Sequence, residues 1–166
     1  HNSPSVKFNV ISGNGDGFLR KSKNNNFYLV FDSGKTFFGL GHNIGWVTEN
    51  NIRVYAGYFK DFNEYGCNMT RVWLNNSWTL NIENKKLGKY NVGDSRKLDE
   101  LMKLAKKHGV YMFLTMDSYG SLMEEMGPWG ENAWKKNVYN MKKGGPCEGP
   151  GDFFTNPEAK RHYKNR

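Results

Sequence analysis

Residues able to do chemistry gather where three apolar segments of this sequence end. His42 and Asn43 close the first segment, Arg71 lies in the second with Asn75 just after it, and Asp117 follows the third. An arginine in a buried strand is costly without a carboxylate, so Arg71 requires an acidic partner or an outlet to solvent. Asp117 suits either a pocket carboxylate or a cap of the following turn. If the three segment ends converge, these residues line one polar pocket.

Neither a metal site nor a nucleophilic triad accompanies these residues in the sequence. His42 has no second His or Cys at ligand spacing, and no Ser/His/Asp or Cys/His arrangement stands out. Glu124 and Glu125 are adjacent, and adjacent side chains rarely share one substrate. We therefore expect no metal and no cofactor.

Tryptophan gives the stronger chemical signal. The chain has five, and four of them lie in or beside the segments that follow strand ends. Flat amphipathic rings stack well on sugar faces, although packing of long loops is the competing interpretation. The candidate binding residues therefore include four tryptophans, namely Trp46, Trp73, Trp78 and Trp129.

The elements that position these residues fall into two parts. Residues 1–35 alternate short apolar stretches with tight turns, such as the turn at residues 32–35, and predict a β-rich segment. Residues 36–166 alternate strand and helix. In that part we predict strands at 36–41, 69–74 and 110–116, and helices at 51–65, from Asp94 or Ser95 to Gly109, and from Asn156 onward.

This alternation predicts a parallel sheet with right-handed crossovers. The continuous apolar run at 110–116 suits a strand buried on both faces. No glycine-rich phosphate motif follows a strand, which disfavours a nucleotide-binding sheet. The connections after the second and third strands far exceed the ~2–6 residues usual for a βα loop. Barrel enzymes have such long connections after their strands. Because a complete barrel needs at least ~200 residues, we predict an α/β fold, the N-terminal part of a (β/α)8 TIM barrel.

Charge and composition exclude other classes of protein. The net charge of +8 is spread over turns and helix faces without an arginine-rich stripe, so we expect no nucleic-acid partner. No apolar run reaches the ~18 residues of a membrane span, so we expect no membrane partner.

No signal peptide opens the chain, and His1 at its start fits a processed or trimmed protein. Two cysteines, Cys67 and Cys147, leave pairing open.

One motif carries a family resemblance. Residues 66–73 contain a G-x-N-x-x-R-V-W element, made of Gly66, Asn68, Arg71, Val72 and Trp73. Together with residues 36–46, this element resembles the opening of family 5-like glycoside hydrolases of the large retaining barrel clan. The upstream residues 16–34 resemble either the segment that joins a β-sandwich to such barrels or the strands at the barrel's start.

The resemblance implies a function and the parts that would perform it. In that clan the acid/base Glu follows the fourth strand and the nucleophile Glu ends the seventh, so no catalytic residue is expected within these residues. Arg71 would hold the nucleophile carboxylate, and Asp117 stands where the family commonly has a His. The implied protein is a secreted, extracellular or cell-surface enzyme that hydrolyses β-linked polysaccharide or oligosaccharide by a retaining two-carboxylate mechanism.

Two partners are then expected, a β-linked glycan and the remaining C-terminal part of the barrel. The 166-residue chain alone is expected to be inactive. The alternative function is a non-catalytic carbohydrate-binding or scaffold protein with a barrel-like sequence.

Overall fold

The computed structural model describes residues 9, 13, 15–47, 51–74, 80–125 and 133–166. Two compact units divide between Gly39 and Leu40, slightly after the boundary expected at residue 36. Each unit has its own sheet.

The first unit is a three-stranded antiparallel sheet. Its strands are β1 (Leu19–Lys21), β2 (Leu29–Phe31) and β3 (Thr36–Phe37), in that spatial order. Residues 36 and 37 were expected to open the first barrel strand, but they pair with β2. The turn before them reverses the chain through Gly34 at φ 87°. Phe37 is then buried edge-on against Phe31, with ring centroids 5.7 Å apart, and this burial favours the hairpin.

The second unit contains a parallel sheet of three strands. They are β4 (Gly41–Asn43), β5 (Met69–Trp73) and β6 (Tyr111–Thr115), with β5 in the centre. Helix α1 (Ile52–Glu64) connects β4 to β5, and helix α2 (Val92–His108) connects β5 to β6. The predicted alternation of strand and helix is therefore present in the structure.

The helix ends show which side chains cap them. Asn51 begins α1 by accepting a hydrogen bond from the Arg53 amide, and Gly109 ends α2 in the left-handed conformation at φ 68°. The prediction that Asp94 or Ser95 caps α2 is wrong. Asn91 is the cap, because its side-chain oxygen accepts from the amide of Asp94, which already lies in the first turn.

The main core lies between the sheet and the two helices. Its fully buried members include Tyr55 and Phe59 of α1, Val72 of β5, and Leu101 of α2. The expectation that β6 is buried on both faces is wrong. Successive strand residues point to opposite faces, and only one face of β6 packs against this core. The side chain of Phe113, on the other face, is 57% exposed.

A second, smaller core organises the residues after β6. Three short 3₁₀ helices, Tyr119–Leu122, Ala133–Lys136 and Met141–Lys143, precede the helices α3 (Asp152–Thr155) and α4 (Pro157–Asn165). As predicted, the helix opens at this point: Asn156 is the N-cap of α4 and Pro157 is its first residue. The buried residues of this core are Trp134, Val138, Tyr139, Cys147 and Ala159. Both cysteines, whose pairing the sequence left open, are free.

Candidate functional site

Two of the predicted site residues meet at the carboxyl edge of the parallel sheet. Asn43 ends β4 and pairs in register with Arg71 of β5, so both side chains lie on the same face. The Arg71 Nε donates a hydrogen bond to the Asn43 Oδ1 at 3.2 Å. This contact ties the Arg71 side chain to the neighbouring strand β4.

Two indole rings adjoin this pair. Trp73 lies two residues after Arg71 on the same strand face, and the Arg71 Cζ is 5.8 Å from its ring centroid, a cation–π contact. Trp46 packs against Trp73 with ring centroids 4.8 Å apart. Gly45 permits this approach, because a Cβ there would lie 3.1 Å from the Trp73 ring. We call Asn43, Trp46, Arg71 and Trp73 the arginine–tryptophan platform.

The platform offers a fixed cation beside half-exposed rings. Arg71 is exposed, and no other described residue forms an ion pair with it. Its charge is therefore tolerated by contact with solvent, the outlet that the sequence left open. A guanidinium presents several N–H donors in one plane, so it can bind a carboxylate or sugar hydroxyls while the rings offer stacking surface.

His42 lies elsewhere. It pairs in register with Thr70, whose side chain is buried, so strand alternation places His42 on the sheet face opposite Arg71. The Thr70 hydroxyl donates to the His42 carbonyl at 2.9 Å and accepts from the Ile44 amide at 3.3 Å. These bonds hold the end of β4 against β5.

Asp117 caps a turn and forms an ion pair. Its Oδ1 accepts hydrogen bonds from the Ser118 amide and the Ser121 hydroxyl, at 2.9 and 2.6 Å. Its Oδ2 lies 3.5 Å from the Arg166 Nη1. The capping interpretation left open by the sequence is thus seen in the structure. The other predicted site residues, Asn75, Trp78 and Trp129, lie outside the described residues.

Sequence reasoning missed a buried ion pair that adjoins Asp117. The Arg166 Nη2 lies 2.6 Å from the Glu83 Oε2, and the two side chains are 1% and 3% exposed. Burial opposes ionisation of Arg166, but the charges of Glu83, Tyr139 and Asp117 outweigh it and raise its pKa. Spacing could have indicated Arg166, because it follows Ala159 and Tyr163 on one helix face. Glu83 lies outside any periodic segment.

The pKa of Tyr139 is also shifted, by burial and by neighbouring charges. Burial raises the pKa of Tyr139 to about 12, against the opposing charge of Arg166. The guanidinium lies 5.6 Å from the centroid of this ring.

Among the residues that the structure describes, no group of three or more His, Cys, Asp or Glu side chains could hold a metal ion. In the same residues no helix is both long and apolar enough to span a membrane.

The sequence of this chain is similar to curated proteins of known activity. No family model matches the chain. It is 25% identical over 159 residues to mannan endo-1,4-beta-mannosidase 4 of Solanum lycopersicum, covering 88% of this chain and 37% of that protein. It is 26% identical to the enzyme of the same name from Oryza sativa subsp. japonica, covering 82% of this chain and 29% of that protein. The chain thus spans about a third of the length of these relatives.

Solved structures resemble the fold. A glycoside hydrolase family 5 mannosidase from Rhizomucor miehei matches 92% of this chain and 42% of its own, with 15% identity and a TM-score of 0.59. An endo-1,4-beta-mannanase from the same fungus matches 83% of this chain and 38% of its own, with 19% identity and a TM-score of 0.52.

Fold and site together define the N-terminal part of a TIM barrel, preceded by short β-strands, with polar and aromatic residues at the carboxyl edge of its sheet. The resemblance to family 5 glycoside hydrolases is confirmed: the sequence relatives are mannan endo-1,4-beta-mannosidases, and one structural neighbour is a family 5 mannosidase.

Proposed function

We propose that the full-length protein containing these residues is a glycoside hydrolase that cleaves β-1,4-linked mannan or a closely related β-linked polysaccharide. The observation that carries this proposal is the arginine–tryptophan platform at the carboxyl edge of a parallel barrel sheet. In TIM-barrel enzymes the active site lies at this edge. The mannanase relatives supply the substrate class.

Each platform residue has a role in this proposal. Trp46 and Trp73 form the stacking surface for a sugar ring. Arg71, held by Asn43, binds the carboxylate of the nucleophile and keeps it ionised, because a nearby cation lowers a carboxyl pKa. The mechanism is retaining, with the two carboxyl groups ~5–5.5 Å apart.

The remaining parts of the proposal concern the whole protein. The two catalytic carboxylates come from barrel strands outside these 166 residues, so the chain alone is inactive. The partners are a β-linked glycan and the rest of the barrel, and the protein acts outside the cell or at its surface. The β-rich first unit precedes the barrel as a separate segment.

The test compares substitutions of two exposed arginines in the full-length protein. Arg71→Ala removes the platform cation, whereas Arg53→Ala removes an exposed arginine in α1. Release of reducing ends from β-1,4-mannan gives kcat/KM. We expect Arg71→Ala to lower kcat/KM by about 10²-fold or more, as loss of a charge-stabilising donor does, and Arg53→Ala to leave it unchanged. The free energy of unfolding of both variants should lie within about 0.5 kcal/mol of that of the unsubstituted protein.

Two results would overturn the proposal. One is unchanged kcat/KM in Arg71→Ala. The other is mannan binding by the full-length protein without any release of reducing ends, which would indicate a non-catalytic carbohydrate-binding protein.

A further inference from the structure

The guanidinium of Arg166 contacts three separate parts of the second unit outside its own helix. Its Nε donates to the Glu83 Oε2 at 2.9 Å, and its Nη1 donates to the Met116 carbonyl at 3.3 Å. The rings of Tyr139 and Tyr163 lie 5.6 and 5.4 Å from its Cζ. The cation is therefore enclosed by polar contacts at its edge and by aromatic rings.

The two polar contacts belong to segments that frame the carboxyl edge of the sheet. Glu83 lies in the connection from β5 to α2, and its Oε1 accepts a hydrogen bond from the Gly88 amide. Met116 and Asp117 follow β6 directly. Through one guanidinium, Glu83 in the connection after β5 is fixed to Met116 and Asp117 after β6.

Stability alone is a poor explanation for this arrangement. Burying two charges carries a large desolvation cost, and apolar side chains of similar volume often stabilise a protein as well or better. A planar guanidinium instead sets the directions of its partners, because its five donors have fixed geometry. Here it fixes the Glu83 carboxylate and aligns Asp117, whose other oxygen already caps the turn at Ser118.

We propose that Arg166 is a positioning residue, which holds the segments after β5 and β6 in the arrangement needed to bind the glycan at the sheet edge. The kinetic part of this inference rests on the proposed glycosidase function. The part that concerns the two segments does not.

The test measures amide exchange and kinetics in the full-length protein. Arg166→Lys keeps the charge and loses the planar fork. We expect the Gly88 and Ser118 amides to exchange at least about tenfold faster, as their charged acceptors lose orientation, while helix α1 exchanges as before. Misplaced substrate contacts should lower kcat/KM on β-1,4-mannan by about tenfold or more.

A matched control exists on the same helix. Arg161 forms an exposed ion pair with Glu158, each side chain being 60% exposed, so Arg161→Lys should change neither measurement. If Arg166→Lys fails to fold, Glu83→Gln tests the same contact, with Glu158→Gln as its control. Glu83→Gln should raise the amide-exchange rates of Gly88 and Ser118.

The outcomes separate this inference from the proposed function. Unchanged exchange at Gly88 and Ser118 would overturn it, and so would faster exchange with unchanged kcat/KM. If the amides of α1 exchanged faster to the same extent as those of Gly88 and Ser118, the inference would also be overturned, because Arg166 would then act on global stability. If the unsubstituted protein cleaves no glycan, the proposed function fails, while the exchange measurement still decides whether Arg166 holds the two segments.

Discussion

At the residue scale, the buried hydroxyl of Thr70 links the first barrel strand to the second. Replacing it by valine keeps the shape but leaves the buried Ile44 amide without its acceptor. We expect Thr70→Val to lower the free energy of unfolding by about 1–3 kcal/mol, measured by urea denaturation. Thr36→Val, at an exposed strand position, should change it by less than about 0.5 kcal/mol. Equal effects of the two substitutions would contradict this role.

Tyr139 provides a pH-dependent prediction. Its pKa is about 12 in the folded protein and 10.0 ordinarily, so the folded state retains the phenol proton while the unfolded state loses it. The resulting stabilisation is complete below pH 10 and is lost as the pH rises toward 12. We expect Tyr139→Phe to reduce the decline in unfolding free energy between pH 10 and 12. An identical decline in both proteins would refute the burial of this hydroxyl.

The sequence predicts some of these residues and not others, for physical reasons. Asn43, Arg71 and Trp73 are predictable because a parallel strand places residues near its carboxyl end at a common edge. The contact of Trp46 with Trp73 depends on the loop path at Gly45, which spacing alone does not specify.

At the element scale, the close pairing of β4 with β5 requires a glycine. A Cβ at Gly41 would overlap the Met69 carbonyl oxygen, which belongs to the backbone and cannot rotate away. We expect Gly41→Ala to lower the free energy of unfolding by at least about 2 kcal/mol. Denaturant unfolding measures the change.

A glycine in helix α1 gives the opposite expectation. A Cβ added at Gly57 would meet no atom within 4 Å, and alanine is favoured over glycine inside a helix by about 1 kcal/mol. Gly57→Ala should therefore stabilise the protein against denaturant. A destabilising Gly57→Ala, or a neutral Gly41→Ala, would contradict the described packing.

The elements differ in how far the sequence predicts them. Helices α1 and α2 follow from apolar spacing and from the glycines after them. The segment between β6 and α4 lacks such periodicity, because side-chain hydrogen bonds form its turns. Asn140 accepts from the Lys142 amide, and Asp152 accepts from the Glu148 amide. These contacts become evident only in three dimensions.

At the scale of the whole molecule, the sequence predicts the alternating strand and helix architecture but places the boundary of the first unit too early. Residues 36 and 37 are as apolar and β-prone as the start of a barrel strand, and only burial of Phe37 against Phe31 assigns them to the first sheet.

The stereochemistry of cleavage tests the central claim most directly. Proton NMR of a β-1,4-linked manno-oligosaccharide, recorded during the first minutes with the full-length protein, identifies the anomer formed at each new reducing end. A retaining enzyme with Arg71 beside its nucleophile predicts that the β-anomer is formed first and mutarotates afterwards. Initial formation of the α-anomer, or no cleavage at all, would contradict the account.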